Sequence, residues 1–232
     1  MKQVLYGFGV AALLVLIGWQ WQKNSSTKVE NVTVTGPKPA EKVAYVTFDD
    51  GPSEITPGIL DTLKKYDAKA TFFLIGEEIT EEREEIVKRE IEEGHSVGVH
   101  TYCHKKEEMY CNKEYFWNDF EKCKTRIEEV IGKPVSLHRF PWGSNNGYVC
   151  PLVDDLMEEL QKKKITSFDW NVSGEDSVAV GVPMASIYQN VKKDLDKYDN
   201  PIILLHDSNT MKNTAAVLPE ILEMIKGIGL VR

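Results

Sequence analysis

From residue 42 onward, short unbroken apolar runs of β-forming residues alternate with segments of helical periodicity, and this alternation limits the fold more than any other feature. The runs fall at 43–48, 71–75, 96–100, 137–140, 165–170 and 202–206, with the start of a seventh at 229–231. Between them, a helix opens at Thr56 as N-cap with Pro57 in its first position, and another runs from Thr80 to Gly94. Further helical stretches cover 115–131, 152–163, 184–197 and 215–226. A strand buried on both faces reads as a continuous apolar run, so the pattern indicates a parallel sheet covered by helices. A closed or distorted barrel and an open doubly wound sheet both satisfy it. No GxGxxG or GxxxxGK(S/T) follows a strand, which counts against the usual nucleotide-binding versions.

Ionisable residues gather at the ends of these runs. Asp49 and Asp50 follow the first strand, His100 ends the third with His104 four residues on, and Arg139 lies at the end of the fourth. Asp169 belongs to the end of the fifth and His206 to the end of the sixth. In a parallel α/β architecture these ends open on one face, where sites are built. Two imidazoles four residues apart, with one carboxylate, supply three nitrogen and oxygen ligands and leave a position for water. That donor set suits Zn²⁺, with Co²⁺, Ni²⁺, Mn²⁺ and Fe²⁺ as alternatives. A second carboxylate and a further histidine complete the requirements for amide hydrolysis: activated water, a base, an oxyanion stabiliser and an acid. No GxSxG turn offers a serine nucleophile.

Outside the alternating region, Lys2 precedes a charge-free apolar run over 4–19, and tryptophans stand at 19 and 21. The run is slightly short of the ~30 Å hydrocarbon core, and interfacial tryptophans extend it. Residues 1–21 are therefore expected to be a signal-anchor transmembrane helix, with cleavage of a signal peptide as the alternative. Residues 22–41, polar and holding two prolines, read as an extracytoplasmic linker to a domain over 42–232. The 36 acidic against 28 basic side chains give a net charge of −8, which argues against a nucleic-acid partner. Four cysteines without a CxxC pair exclude a zinc ribbon, and sequence alone leaves paired or free thiols open.

At its strand ends the chain resembles the polysaccharide deacetylase family, the NodB-homology enzymes that act on chitin, peptidoglycan and acetylxylan. The resemblance rests on Thr47-Phe48-Asp49-Asp50-Gly51-Pro52, on Gly94-His95 with His100-Thr101-Tyr102-Cys103-His104, and on Arg139-Phe140-Pro141-Trp142-Gly143. Asp169-Trp170 and Leu204-Leu205-His206-Asp207 complete five ordered motifs. It implies a distorted (β/α)7 barrel and a divalent metal, Zn²⁺ first, on Asp50, His100 and His104. It implies Asp49 as general base oriented by Arg139, and His206 as general acid hydrogen-bonded to Asp169. Trp142 is expected to supply an oxyanion donor through its backbone N–H, while Trp170 and Leu204 line the acetyl pocket.

The expected reaction is release of acetate from N-acetylglucosamine-type sugars of an extracellular polysaccharide, peptidoglycan first. Chitooligosaccharide, poly-N-acetylglucosamine and acetylxylan are alternative substrates, and a non-catalytic wall-binding module is the reading from another class. The catalytic domain is expected outside the cell membrane, held by the N-terminal helix. His95 and His138 are read as structural, and Glu175 and Asp176 as solvated loop residues.

Overall fold

The computed structural model describes residues 43–227, which lie within one compact unit, Glu41–Arg232. Seven strands form a single parallel sheet: β1 (Tyr45–Gly51), β2 (Ala70–Ile75), β3 (Ser96–Thr101), β4 (Leu137–His138), β5 (Thr166–Ser167), β6 (Val172–Ser173) and β7 (Ile202–His206). Their order is β5-β4-β3-β2-β1-β7-β6, with every neighbouring pair parallel. That is the circular order of a singly wound barrel opened between β5 and β6. The chain is thus a curled, open half-barrel, and the doubly wound alternative is excluded.

Among the described residues, apart from a single helical turn at Lys106–Met109, six helices flank the sheet: α1 (Thr56–Lys65), α2 (Glu84–Glu92), α3 (Lys113–Ile131), α4 (Val153–Lys162), α5 (Met184–Leu195) and α6 (Lys212–Gly227). Each lays an apolar stripe on the outer face of the sheet, as Ile59, Leu60 and Leu63 do on α1 and Val217, Leu218 and Ile221 on α6. Val46 and Phe48 of β1, Phe72 and Leu74 of β2, and Ile203 and Leu205 of β7 meet them and are buried. At about 1.5–3 kcal/mol for each such side chain, this outer layer is the main source of stability. Alternation then turns Tyr45, Thr47 and Asp49 into the interior, beside Ile202, Leu204 and His206.

Several expected boundaries move. The run at 165–170 holds only the two-residue β5, and a separate short strand, β6, follows it, which brings the described sheet to seven. The strand expected at 229–231, the membrane span over 1–21 and the linker over 22–41 lie outside the described residues. Among the described residues no helix is long and apolar enough to cross a membrane. Thr56 is not an N-cap. Ile55 holds that position, and the Thr56 hydroxyl donates instead to Asp207 Oδ2 at 2.6 Å. The helix expected from Thr80 begins with a 3₁₀ turn at Glu81–Arg83. Asn112 does cap α3, accepting from the Tyr115 N–H at 3.1 Å.

Candidate active site

Two consecutive carboxylates on a regular strand point to opposite faces. Here the pairing of β1 with β2 shifts register between Asp49 and Gly51, and Asp50 takes a left-handed φ of 76°. The bulge at Asp50 lets both carboxylates serve the same rim of the half-barrel. Pairing of Asp49 with His206 across β1 and β7 adds an imidazole, and His100 arrives from the end of β3. His104 and Trp142 also have left-handed φ, 53° and 62°. Such conformations cost non-glycine residues roughly 1–3 kcal/mol each, and here they gather at one rim.

The electrostatics of Asp50, His100 and His104 fit a bound cation. His100 Nδ1 lies 2.9 Å from the Arg139 carbonyl oxygen, which can only accept, so Nδ1 carries the proton and Nε2 presents a lone pair. Burial, then the neighbouring His104 and Arg139, hold the His100 pKa well below its ordinary value, so the ring is neutral. Its contact with Asp50 is consequently no ion pair. His100 Nε2 and His104 Nε2 each lie 3.5 Å from Asp50 Oδ1, a buried oxygen with no hydrogen-bond partner. Ligand atoms from the three residues fall within 4.8 Å of one another. Tetrahedral coordination at ~2.0–2.1 Å bond lengths places ligand atoms roughly 3.3 Å apart, close to the spacing seen. Cys103, between the two histidines, is outside this group, and burial pushes its thiol up to about 11. All four cysteines are free.

Asp49 lies beside this triad, with Oδ2 3.9 Å from His100 Nε2. Its Oδ1 accepts from Arg139 Nη1 at 2.9 Å, and the same nitrogen donates to Thr47 Oγ1 at 2.7 Å. Arg139 Nε donates to the Phe168 carbonyl at 3.0 Å, and the guanidinium stands over the Phe73 ring at 4.3 Å. Arg139 is wholly buried, so its charge is compensated by fixed partners alone. Burial raises the Asp49 pKa, with Arg139 and His206 opposing and Asp50 assisting, to about 6.

The partner of His206 differs from the expected one. Asp176, not Asp169, bonds His206 Nδ1 at 2.8 Å, and its Oδ2 accepts from the His206 N–H and from Thr214 Oγ1, both at 2.8 Å. Asp176 is buried rather than solvated, and lies just beyond β6. Burial pulls the His206 pKa down, but the Asp176 hydrogen bond and charge, with Asp50 and Asp49, carry it up to about 9. Asp169 instead accepts from the Ser144 backbone N–H at 3.0 Å and from the Ser144 hydroxyl, fixing the loop that follows Trp142. The break between β5 and β6 conceals this in sequence, because it moves the acidic residue that matters into a loop.

The remaining expected residues divide by position. The Trp142 ring lies tilted 4.6 Å from His104 and is 42% exposed, with Tyr148 beyond it at 6.0 Å. Trp170 packs so closely that a Cβ at Gly143 would stand 3.1 Å from its ring. Leu204 is buried on β7, paired with Thr47 and one inward-facing position below His206. His95 and His138 are buried away from the triad: His95 Nδ1 accepts from the Ala70 N–H at 3.2 Å, and His138 Nδ1 meets Ser167 Oγ at 3.0 Å.

The sequence profile of the family described as polysaccharide deacetylase matches residues 36–158. A peptidoglycan-N-acetylglucosamine deacetylase of Bacillus cereus is 38% identical over 192 residues, covering 81% of this chain and 67% of that protein. Other curated relatives are longer, and the chain spans 33% and 40% of two of them. Among solved structures, the catalytic domain of a peptidoglycan N-acetylglucosamine deacetylase from Eubacterium rectale superposes with a TM-score of 0.76 at 29% identity, over 84% of this chain and 88% of that one. A polysaccharide deacetylase from Bacillus cereus gives 0.71 at 35% identity, over 82% and 90%.

Proposed function

This chain belongs to the polysaccharide deacetylase family, hydrolases acting on the amide bonds of N-acetyl sugars, and from that premise we propose that it deacetylates N-acetylglucosamine residues of peptidoglycan. The observation that carries the reading is the unpartnered Asp50 Oδ1 facing two imidazole nitrogens, with a carboxylate base on one side and a histidine acid on the other. Asp50, His100 and His104 would hold a divalent cation, Zn²⁺ first by their nitrogen and oxygen donors. Bound there, the ion supplies Lewis acidity, making water more acidic and polarising the amide carbonyl.

The chain's own residues do the rest. Asp49 Oδ2, left free while Arg139 holds Oδ1, takes a proton from the attacking water. The Trp142 backbone N–H donates to the oxygen that gains charge as the carbonyl carbon becomes tetrahedral. His206, protonated through Asp176, gives its Nε2 proton to the departing sugar nitrogen as the C–N bond breaks, leaving acetate and a free amine. Trp170 and Leu204 shape the space for the acetyl methyl. The exposed Trp142 and Tyr148 rings offer apolar faces at the rim for a sugar ring.

Peptidoglycan is chosen on the relatives' named activity. Residues 1–21 as a membrane anchor, with 22–41 as tether, would keep the domain over 42–232 on the wall side. The test is acetate release from peptidoglycan by protein spanning residues 30–232, stripped of metal and then given Zn²⁺, beside Asp49→Asn. Zn²⁺-dependent release that vanishes in the variant is expected. A folded, Zn²⁺-binding protein that releases no acetate from peptidoglycan would sink the assignment.

A further inference from the structure

The three residues of the triad are not held alike. Asp50 and His100 lie near the ends of β1 and β3, each between two residues that are paired into the sheet. His104 stands on the loop beyond β3, half-buried and with a left-handed φ of 53°, where no ladder reaches it. Its position therefore depends on what fixes the turn from Thr101 to His104.

A single carboxylate on α3 does most of that. Asp119 Oδ1 accepts from the Thr101 hydroxyl at 2.7 Å and from the Tyr102 N–H at 2.8 Å, and Oδ2 accepts from the Cys103 N–H at 3.1 Å. The Thr101 hydroxyl, its proton committed to Asp119, accepts from the His104 N–H at 3.2 Å. A chain of hydrogen bonds thus runs from α3 through Thr101 to the backbone of His104. On the other side, the Tyr102 carbonyl accepts from the Glu77 N–H at 2.9 Å, so the turn is pinned from two directions. Ionised, Asp119 is an acceptor for all three donors, which no neutral side chain of its size reproduces.

We propose that Asp119 is a positioning residue for the metal site: it sets the turn that presents His104 Nε2 to Asp50 and His100, and so sets the affinity for the ion. The proposal rests on the reading that this triad holds a divalent cation. Groups that orient metal ligands from behind alter affinity by roughly 10–100-fold when removed. Asp119 is fifteen residues from His104 in sequence and makes no contact with the triad's ligand atoms, so a merely structural role would leave affinity alone.

The test uses the full chain and Zn²⁺ alone, in competition with a chromophoric chelator, with melting of the metal-free and metal-loaded protein measured alongside. In Asp119→Asn the amide NH2 must face either the Cys103 N–H or the Thr101 and Tyr102 donors. Zn²⁺ affinity is expected to fall roughly 10–100-fold, and the rise in melting temperature on adding metal to shrink. Thr101→Val removes the hydroxyl that joins Asp119 to the His104 N–H, and leaves Asp119 capping Tyr102 and Cys103. It therefore keeps the turn folded, and is expected to lose affinity in the same direction by less. Affinity within twofold of the parent in both variants, with the parent binding one Zn²⁺, would overturn the role of Asp119 and leave the triad standing. A parent that binds no Zn²⁺ would overturn both.

Discussion

The interior of the half-barrel changes character from one end to the other. Along β1 the inward side chains run Tyr45, Thr47, Asp49, from an exposed aromatic ring to a buried carboxylate. Around the first end lies a cavity of about 360 Å³ lined by Tyr45, Thr71, Phe73, Leu137, Phe168 and Ile202, with Arg139 as its only charge. At the other end stand Asp49, Asp50, His100, His104 and His206, with left-handed backbone at Asp50, His104 and Trp142. The same strands thus supply a relaxed, apolar end and a strained, polar one. Arg139 lies on the boundary, where apolar walls keep water from one side and Asp49 meets it on the other. An isolated ion pair at an exposed rim would be worth little. Desolvated between these two environments, this pair ties the chemistry of one end to the stability of the whole.

The comparison breaks most visibly at Asp49. Asp49→Asn keeps the shape and still accepts from Arg139, yet removes the base, so acetate release is expected to fall by about 10²–10⁴-fold, with a lower melting temperature because the buried Arg139 loses its counter-ion. Arg139→Met tests the boundary, because it leaves a carboxylate buried without its cation. Unfolding free energy from denaturant titration is expected to drop by about 3–5 kcal/mol. The acid limb of the pH–rate profile should also rise, since Arg139 is what restrains the Asp49 pKa to about 6.

The parent profile itself should be a bell. Asp49 works ionised, so rate is lost as pH falls through about 6. His206 works protonated, so rate is lost as pH rises through about 9. A cation on the triad lowers both limbs through its charge. The raised His206 pKa also contributes stability that is fully present below its unfolded value and lost as pH rises through about 9. Asp176→Asn removes the carboxylate that overcomes burial, so the alkaline limb should move down by at least about one pH unit. Asp169→Asn, which touches Ser144 instead, should leave that limb where it is. The reverse result would restore the assignment that the sequence motif favours. The smallest effect belongs to the apolar end: Ile202→Val should cost about 0.5–1.5 kcal/mol and leave kcat/KM unchanged.

What the sequence made legible follows from the physics of its elements. Continuous apolar strands such as 71–75 and 202–206 are readable because burial on both faces leaves few alternatives, and their ends located Asp49, His100 and His206. Two-residue strands such as β5 and β6 carry almost no periodic signal, and their separation displaced the expected His206 partner from Asp176 to Asp169. Asp119 escaped for another reason. On a helix rich in charged residues it reads as one more solvated carboxylate, and only the packing of α3 beside β3 sets it under the turn. Thr56 shows the same limit, since a hydroxyl before Pro57 suggests a cap until a buried Asp207 claims it.

The seam between β5 and β6 has a bearing on behaviour in crowded solution. A barrel left open has two free edges, and an edge strand with unpaired backbone groups is a template on which another chain can add a strand. Among the described residues both edges are only two residues long, Thr166–Ser167 and Val172–Ser173, each carrying a serine. So short a ladder offers a visiting strand a few hydrogen bonds at most, too few to repay the entropy of ordering it. Over the described residues, the half-barrel's open seam is a poor seed for aggregation.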